Sequence, residues 1–255
     1  MRIHELLFLK EDTAVNNPGL INPTVRDIQT KASKDIGGPR TIQPRVRTHS
    51  NDAFDDTKDS DRVRVGSGVF ADVYKRSSRP GVVYKYGQFS PPADYPQKDA
   101  YVSYIMALLK NDQMASNPHF PRVFDIRFWR DSQGKLATYR IEMEHLHPLV
   151  SLSPQLLSSM GHRLFKDWDD VELGLDFNDY AGTQYTLATA LAYRVQLLFK
   201  GEGTELLQDR YLFDAVRMIK TRVLPGARNL DIHYGNIMAR TTPVGAQLVI
   251  TDPVV

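Results

Sequence analysis

The chain has 255 residues, 42% of them hydrophobic and 24% charged, which fits a globular protein of one large domain or two small lobes. Its formal net charge is only +2 and the basic residues are not gathered into one tract, so nucleic acid is not an expected partner. Cysteine is absent, which excludes disulfides and thiolate metal sites and agrees with a reducing compartment.

At the N-terminus, residues 3–9 are apolar, but Glu5 interrupts them and Lys10-Glu11-Asp12 follows without a small-residue cleavage site. No apolar run reaches the length of a membrane-spanning helix. The expectation is a soluble, cytoplasmic protein with no membrane partner. Residues 10–60 carry turn and charge clusters (Asn16-Asn17-Pro18-Gly19, Gly37-Gly38-Pro39, and the run 51–61) with almost no apolar periodicity. Residues 1–60 are therefore expected to form an extended or disordered arm.

The pattern changes at residue 62. Arg62-Val63-Arg64-Val65 alternates as a strand, the chain turns through Gly66-Ser67-Gly68, and a second strand returns through Val73-Tyr74. After a turn at Ser78-Arg79-Pro80-Gly81, residues 82–86 form a third strand carrying Lys85. Glycines at a strand–turn–strand junction let backbone N–H groups close over a phosphate, although the same residues also make a plain hairpin. Residues 99–110 place Val102, Ile105, Met106 and Leu109 at helical spacing. Residues 122–129 and 136–146 read as a further hairpin, in which Glu142 and Glu144 fit the outward side of a strand. Ser153-Pro154 starts a helix. Two more helices are expected at about 184–200 and about 204–223, the second with Leu212, Val216, Ile219 and Val223 on one face. Tyr101, Tyr104, Tyr185 and Tyr193 read as core.

Pro225-Gly226 delivers the chain into Asp231-Ile-His-Tyr-Gly-Asn236-Ile-Met, and Ile250-Thr-Asp252-Pro follows at the end of an apolar strand. An Asp and an Asn five positions apart in a tight loop, with a second Asp beyond a hairpin, can build a phosphoryl-transfer site. One carboxylate stands beside the attacking hydroxyl, while the amide and the other carboxylate hold Mg²⁺. His233 reads as a brace for this loop, since no second His stands at metal-ligand spacing.

This order of parts resembles the protein-kinase-like superfamily, and the closing motif is most similar to the early serine/threonine kinases of podoviral coliphages. The Asp-x-His-x-Gly-Asn form also resembles aminoglycoside phosphotransferases. The resemblance runs from about residue 62 to the C-terminus. It implies an α+β, two-lobe fold: a β-rich nucleotide-binding lobe at 61–146 and a truncated helical lobe at 147–255. It implies ATP and Mg²⁺ as cofactors and protein substrates, host proteins if the chain is viral, as partners. Gly66, Ser67, Gly68 and Phe70 would cover the phosphates and Lys85 would bind the α- and β-phosphates. Met143 would be the gatekeeper, with adenine on backbone groups of Glu144, His145 and Leu146. Asp231 would orient the acceptor hydroxyl, and Asn236 and Asp252 would ligate Mg²⁺. Three departures stand out: Asn229-Leu230 precedes Asp231 where the family has His-Arg, Pro253 replaces Phe after the metal Asp, and the helix at 99–110 offers only Asp99 to Lys85. A protein kinase, a small-molecule phosphotransferase and a pseudokinase that keeps the fold for binding all remain open on these residues.

Overall fold

A computed structural model describes residues 45–49, 62–67, 71–168, 183–226 and 229–254. Among these residues the first sheet has six strands: β1 (Arg45–His49), β2 (Arg62–Ser67), β3 (Ala71–Arg76), β4 (Val82–Ala93), β5 (Val123–Arg130) and β6 (Leu136–Glu144). They lie side by side in the order β1-β5-β6-β4-β3-β2. Every pairing is antiparallel except that of β1 with β5, in which Arg45 to His49 run parallel to Asp125 to Trp129. The expected arm thus contributes an edge strand. Arg-Val-Arg-Thr-His gives no local sign of this, because a parallel edge strand is decided by its neighbour in space rather than by its own sequence.

Alternation sorts the two faces of the sheet. Val83, Ile126, Ile141 and Met143 are buried on one face beneath helix α1 (Ala100–Lys110). Asp99 starts this helix by accepting a hydrogen bond from the Val102 N–H at 2.8 Å. Tyr101, Val102, Tyr104, Ile105, Met106 and Leu108 are its buried residues, as the helical spacing of its apolar positions predicts. A short helix α2 (Asp112–Ser116) follows, capped by Asn111.

Beyond β6 come a second sheet and three longer helices. Ser153 caps α3 (Pro154–Leu164), whose side-chain oxygen accepts from the Leu156 N–H. Then come α4 (Thr183–Lys200) and α5 (Arg210–Arg222). The last begins later than its apolar pattern predicts. Asp209 accepts from the N–H groups of Tyr211 and Leu212 and fixes the start there, while residues 204–206 make a separate 3₁₀ turn. Leu212, Val216 and Ile219 face inward as expected. The second sheet joins β7 (His147–Pro148), β8 (Ile237–Thr242) and β9 (Gly245–Ile250), all antiparallel. The fold is α+β. Among the described residues no helix is long and apolar enough to cross a membrane.

Candidate functional site

Lys85 lies on β4 opposite Val73 and Ile141, on the face that α1 covers. Two residues on, Gly87 makes room for Tyr139: a Cβ there would stand 2.2 Å from the tyrosine ring. The Lys85 ammonium points at the end of β9, where its Nζ donates to Asp252 Oδ2 at 2.8 Å. It also lies 3.5 Å from the centroid of the Tyr101 ring. No ion pair joins it to Asp99, whose carboxylate serves as the α1 cap.

The loop after α5 is tied down at both ends. The Asp231 N–H donates to Pro253 O at 2.9 Å, and Leu230 bridges to Val254. At the other end Asn236 O accepts from the N–H and the hydroxyl of Thr251, at 3.0 and 2.8 Å. Within the loop, Asn236 Nδ2 donates to the backbone oxygen of Asp231 at 2.9 Å and to Asp231 Oδ2 at 2.8 Å. His233 Nδ1 accepts from the Gly235 N–H at 3.0 Å, and its Nε2 stands 3.7 Å from Asp231 Oδ1. The Asp231 carboxylate is held between an amide and an imidazole, and its side chain remains 39% exposed.

Lys85, Asp231, Asn236 and Asp252, which lie up to 167 positions apart, are thus brought together. The Asp252 carboxyl is pushed above the usual carboxylate range by burial; Lys85 opposes that push, and the charges of Asp231 and Asp99 add to it. A divalent cation would relieve this crowding. Among the described residues no three His, Cys, Asp or Glu side chains form a metal cage. Mg²⁺ does not need one: it is commonly held by one or two carboxylates together with substrate phosphates and water. The Asp252 carboxylate and the Asn236 amide oxygen are hard oxygen donors of that kind, and they fit.

On β6, Met143 is buried and its sulfur lies 3.9 Å from the Tyr101 hydroxyl. The segment expected to meet adenine is partly engaged already. The Glu144 N–H donates to Arg122 O at 3.0 Å and the His145 N–H to Gly81 O at 2.8 Å. Of the three N–H groups, only that of Leu146 lacks an acceptor among the described residues.

The Glu144 side chain is a correction to the sequence reading. It is buried rather than outward: it accepts from the Arg122 N–H at 2.9 Å and forms a bidentate pair with Arg240 on β8. Glu142 is likewise buried and pairs with Arg79. Gly66 pairs with Val73, and a Cβ added to it would meet Val73 only at 3.8 Å, so space does not demand a glycine there. Ser67 ends β2, while Gly68 and Phe70 lie outside the described residues.

Sequence reasoning missed Tyr101, Glu144 as a side chain, Arg240 and Thr251. Only Thr251 had a signal, its place in the Ile-Thr-Asp-Pro run.

The sheet carrying the lysine, the helix beside it and the Asp231 and Asp252 loops follow one another in the order expected from the sequence. No protein-family model matches the sequence, and no curated protein does. Among solved structures the chain is similar to an apo pseudokinase, at 10% identity and a TM-score of 0.37, over 82% of this chain and 63% of the other. It is also similar to drought responsive inactive kinase 1, a pseudokinase bound to ENMD-2076, at 11% identity and a TM-score of 0.38, over 82% of this chain and 62% of the other. The chain therefore spans less than two thirds of each structure. At these values the likeness is loose, and the site stands on its own geometry.

Proposed function

We propose that the chain is an ATP-dependent, Mg²⁺-requiring phosphotransferase that phosphorylates serine or threonine hydroxyls of proteins, host proteins if it is viral, or its own. One observation carries the reading. Asp231 offers an accessible carboxylate, aimed by Asn236 and His233, and its charge reaches the Lys85–Asp252 pair.

The acceptor hydroxyl would donate a hydrogen bond to that carboxylate. As its oxygen bonds to the γ-phosphorus and the bond from that phosphorus to the bridging oxygen breaks, the proton passes to Asp231. Asn236 keeps the carboxylate in aim through its amide N–H. Lys85 would offset negative charge on the α- and β-phosphates, and the Leu146 N–H would meet the adenine base. A Mg²⁺ ion, when bound on Asp252 and Asn236, supplies further neutralisation of phosphate charge.

A second reading, nucleotide binding without transfer, is favoured by one feature: α1 brings no carboxylate to Lys85, whose ion-pair partner is Asp252. Incubation with γ-labelled ATP, Mg²⁺ and a bacterial lysate separates the two. Label in protein that drops by about 10²–10⁴-fold in Asp231→Ala supports transfer. No label, with thermal stabilisation by ATP and Mg²⁺, selects the second reading. Neither label nor stabilisation overturns both.

A further inference from the structure

A phosphate-binding lysine has to be held in one place, or its long side chain loses much of what it gains by meeting the ligand. The familiar way to hold an ammonium is a carboxylate from the neighbouring helix. Here the acid at the start of α1, Asp99, is engaged with the Val102 N–H. What α1 presents to Lys85 instead is the ring of Tyr101, with the ammonium 3.5 Å from its centroid.

We propose that Tyr101 is the positioning residue for Lys85, holding its ammonium through the face of the ring where a carboxylate would otherwise stand. The inference rests on the nucleotide-binding reading above.

Three observations make the ring a fixed platform rather than a chance neighbour. It is 8% exposed, so it does not swing into solvent. Its hydroxyl contacts the Met143 sulfur at 3.9 Å, which ties the far end of the ring to β6. It also packs on Tyr104, with ring centroids 6.4 Å apart, and the Tyr104 hydroxyl donates to Ile250 O at 2.7 Å, two residues before Asp252. One face of α1 therefore sets both the lysine and the strand end that carries the aspartate.

The chemistry differs from that of an ion pair. An aromatic face attracts a cation through its quadrupole and carries no net charge of its own. An ammonium held in this way keeps its full charge for the phosphates, including when Asp252 is engaged by a metal. A helix carboxylate would cancel part of that charge.

The test keeps the ring and drains its negative face. Phenylalanine, monofluoro-, difluoro- and trifluorophenylalanine are placed at position 101 in the full chain, in the Lys85 background and in Lys85→Met. Urea unfolding without nucleotide is read first. With Lys85 present, the folding equilibrium constant should fall stepwise by about tenfold from phenylalanine to the trifluoro ring. With Lys85→Met the series should lack that fall, because shape and apolarity change alike in both backgrounds. Equal trends in the two backgrounds would overturn the proposal.

Affinity for a fluorescent ATP analogue with Mg²⁺ is read second and should weaken in the same order. If the unfolding trend appears but the unaltered chain binds no nucleotide, the hold of Tyr101 on Lys85 stands and the nucleotide reading falls. If nucleotide binds with an affinity indifferent to the series, the positioning role falls.

Discussion

Between Asp231 and Asn236 the backbone has to reverse while leaving one carboxylate in solvent, and a single missing side-chain carbon allows it. A Cβ on Gly235 would stand 2.8 Å from His233 Cε1 and 3.1 Å from Nδ1. The His233 ring, about half exposed, would have to swing out and give up the Gly235 N–H. Gly235→Ala is therefore expected to leave the melting temperature nearly unchanged, since little is buried there, while lowering phosphoryl transfer about tenfold or more through loss of aim at Asp231. Turnover measured beside thermal unfolding checks this; unchanged turnover with a lower melting temperature would make His233 a structural residue only. At this scale the sequence was readable where residue type alone limits the chemistry. Asp231, Asn236, Asp252 and Lys85 are polar groups whose types and order announced that they would meet, and they do. Tyr101 was not readable, because a ring at helical spacing is the ordinary mark of a core position. Only the lysine above it, 16 positions earlier in the chain, changes its meaning.

Elements were legible in proportion to how local their causes are. Strands β2, β3, β5 and β6 and helix α1 fall close to where alternation and helical spacing put them, while β4 starts as expected at Val82 but runs on to Ala93. Strand β1 and the late start of α5 do not, since the first depends on an edge supplied by β5 and the second on the Asp209 cap. The join between β6 and β8 is the strongest case of a non-local cause. Arg240 donates to both Glu144 oxygens, to Pro118 O at 2.8 Å, to Phe120 O at 3.0 Å and to Gln247 Oε1 at 3.1 Å. Both partners are nearly buried, and 96 residues separate them, so spacing could not announce the pair. Removing one member of such a pair leaves the other charge buried without its counter-ion. Arg240→Met should lower unfolding stability by about 3–5 kcal/mol. Glu144→Leu in the same chain should restore part of that, because the orphaned carboxylate is gone while the Pro118 and Phe120 carbonyls still lack their donor. Urea unfolding of the two single variants and the double variant decides it, and strictly additive losses would mean that the two side chains do not act as a unit.

Across the whole molecule, the connection from α2 to β5 ties the six-stranded sheet to the helical part. Asn117 Nδ2 donates to Tyr211 O at 2.8 Å, and His119 is buried between β9 and α5. His119 Nδ1 lies 2.8 Å from Leu248 O, and its Nε2 lies 3.2 Å from Asp209 Oδ2. Asp209 thus serves two structures at once, the N-terminus of α5 and the His119 tie, while Arg163 adds a positive charge nearby. Burial pushes its carboxyl up, but the nearby His119 ring and hydrogen bonds from the Leu212 and Tyr211 N–H groups outweigh burial and hold it below the usual carboxylate range. The sign of the consequence follows. A carboxylate that binds its proton less readily when folded than when unfolded contributes stability that is complete above its unfolded value. As the pH falls below about 4, the unfolded chain takes up the proton first, and the contribution declines until the folded group is protonated as well. Asp209→Asn keeps an acceptor for the Tyr211 and Leu212 N–H groups but cannot titrate. It should therefore be less stable than the parent chain at pH 7, and the difference should shrink below about pH 4. Urea unfolding of both chains from pH 7 down to pH 3 reads that difference directly. A gap that stays constant over the range would mean that the carboxylate charge does not join the two parts, and that capping of α5 is all that Asp209 does.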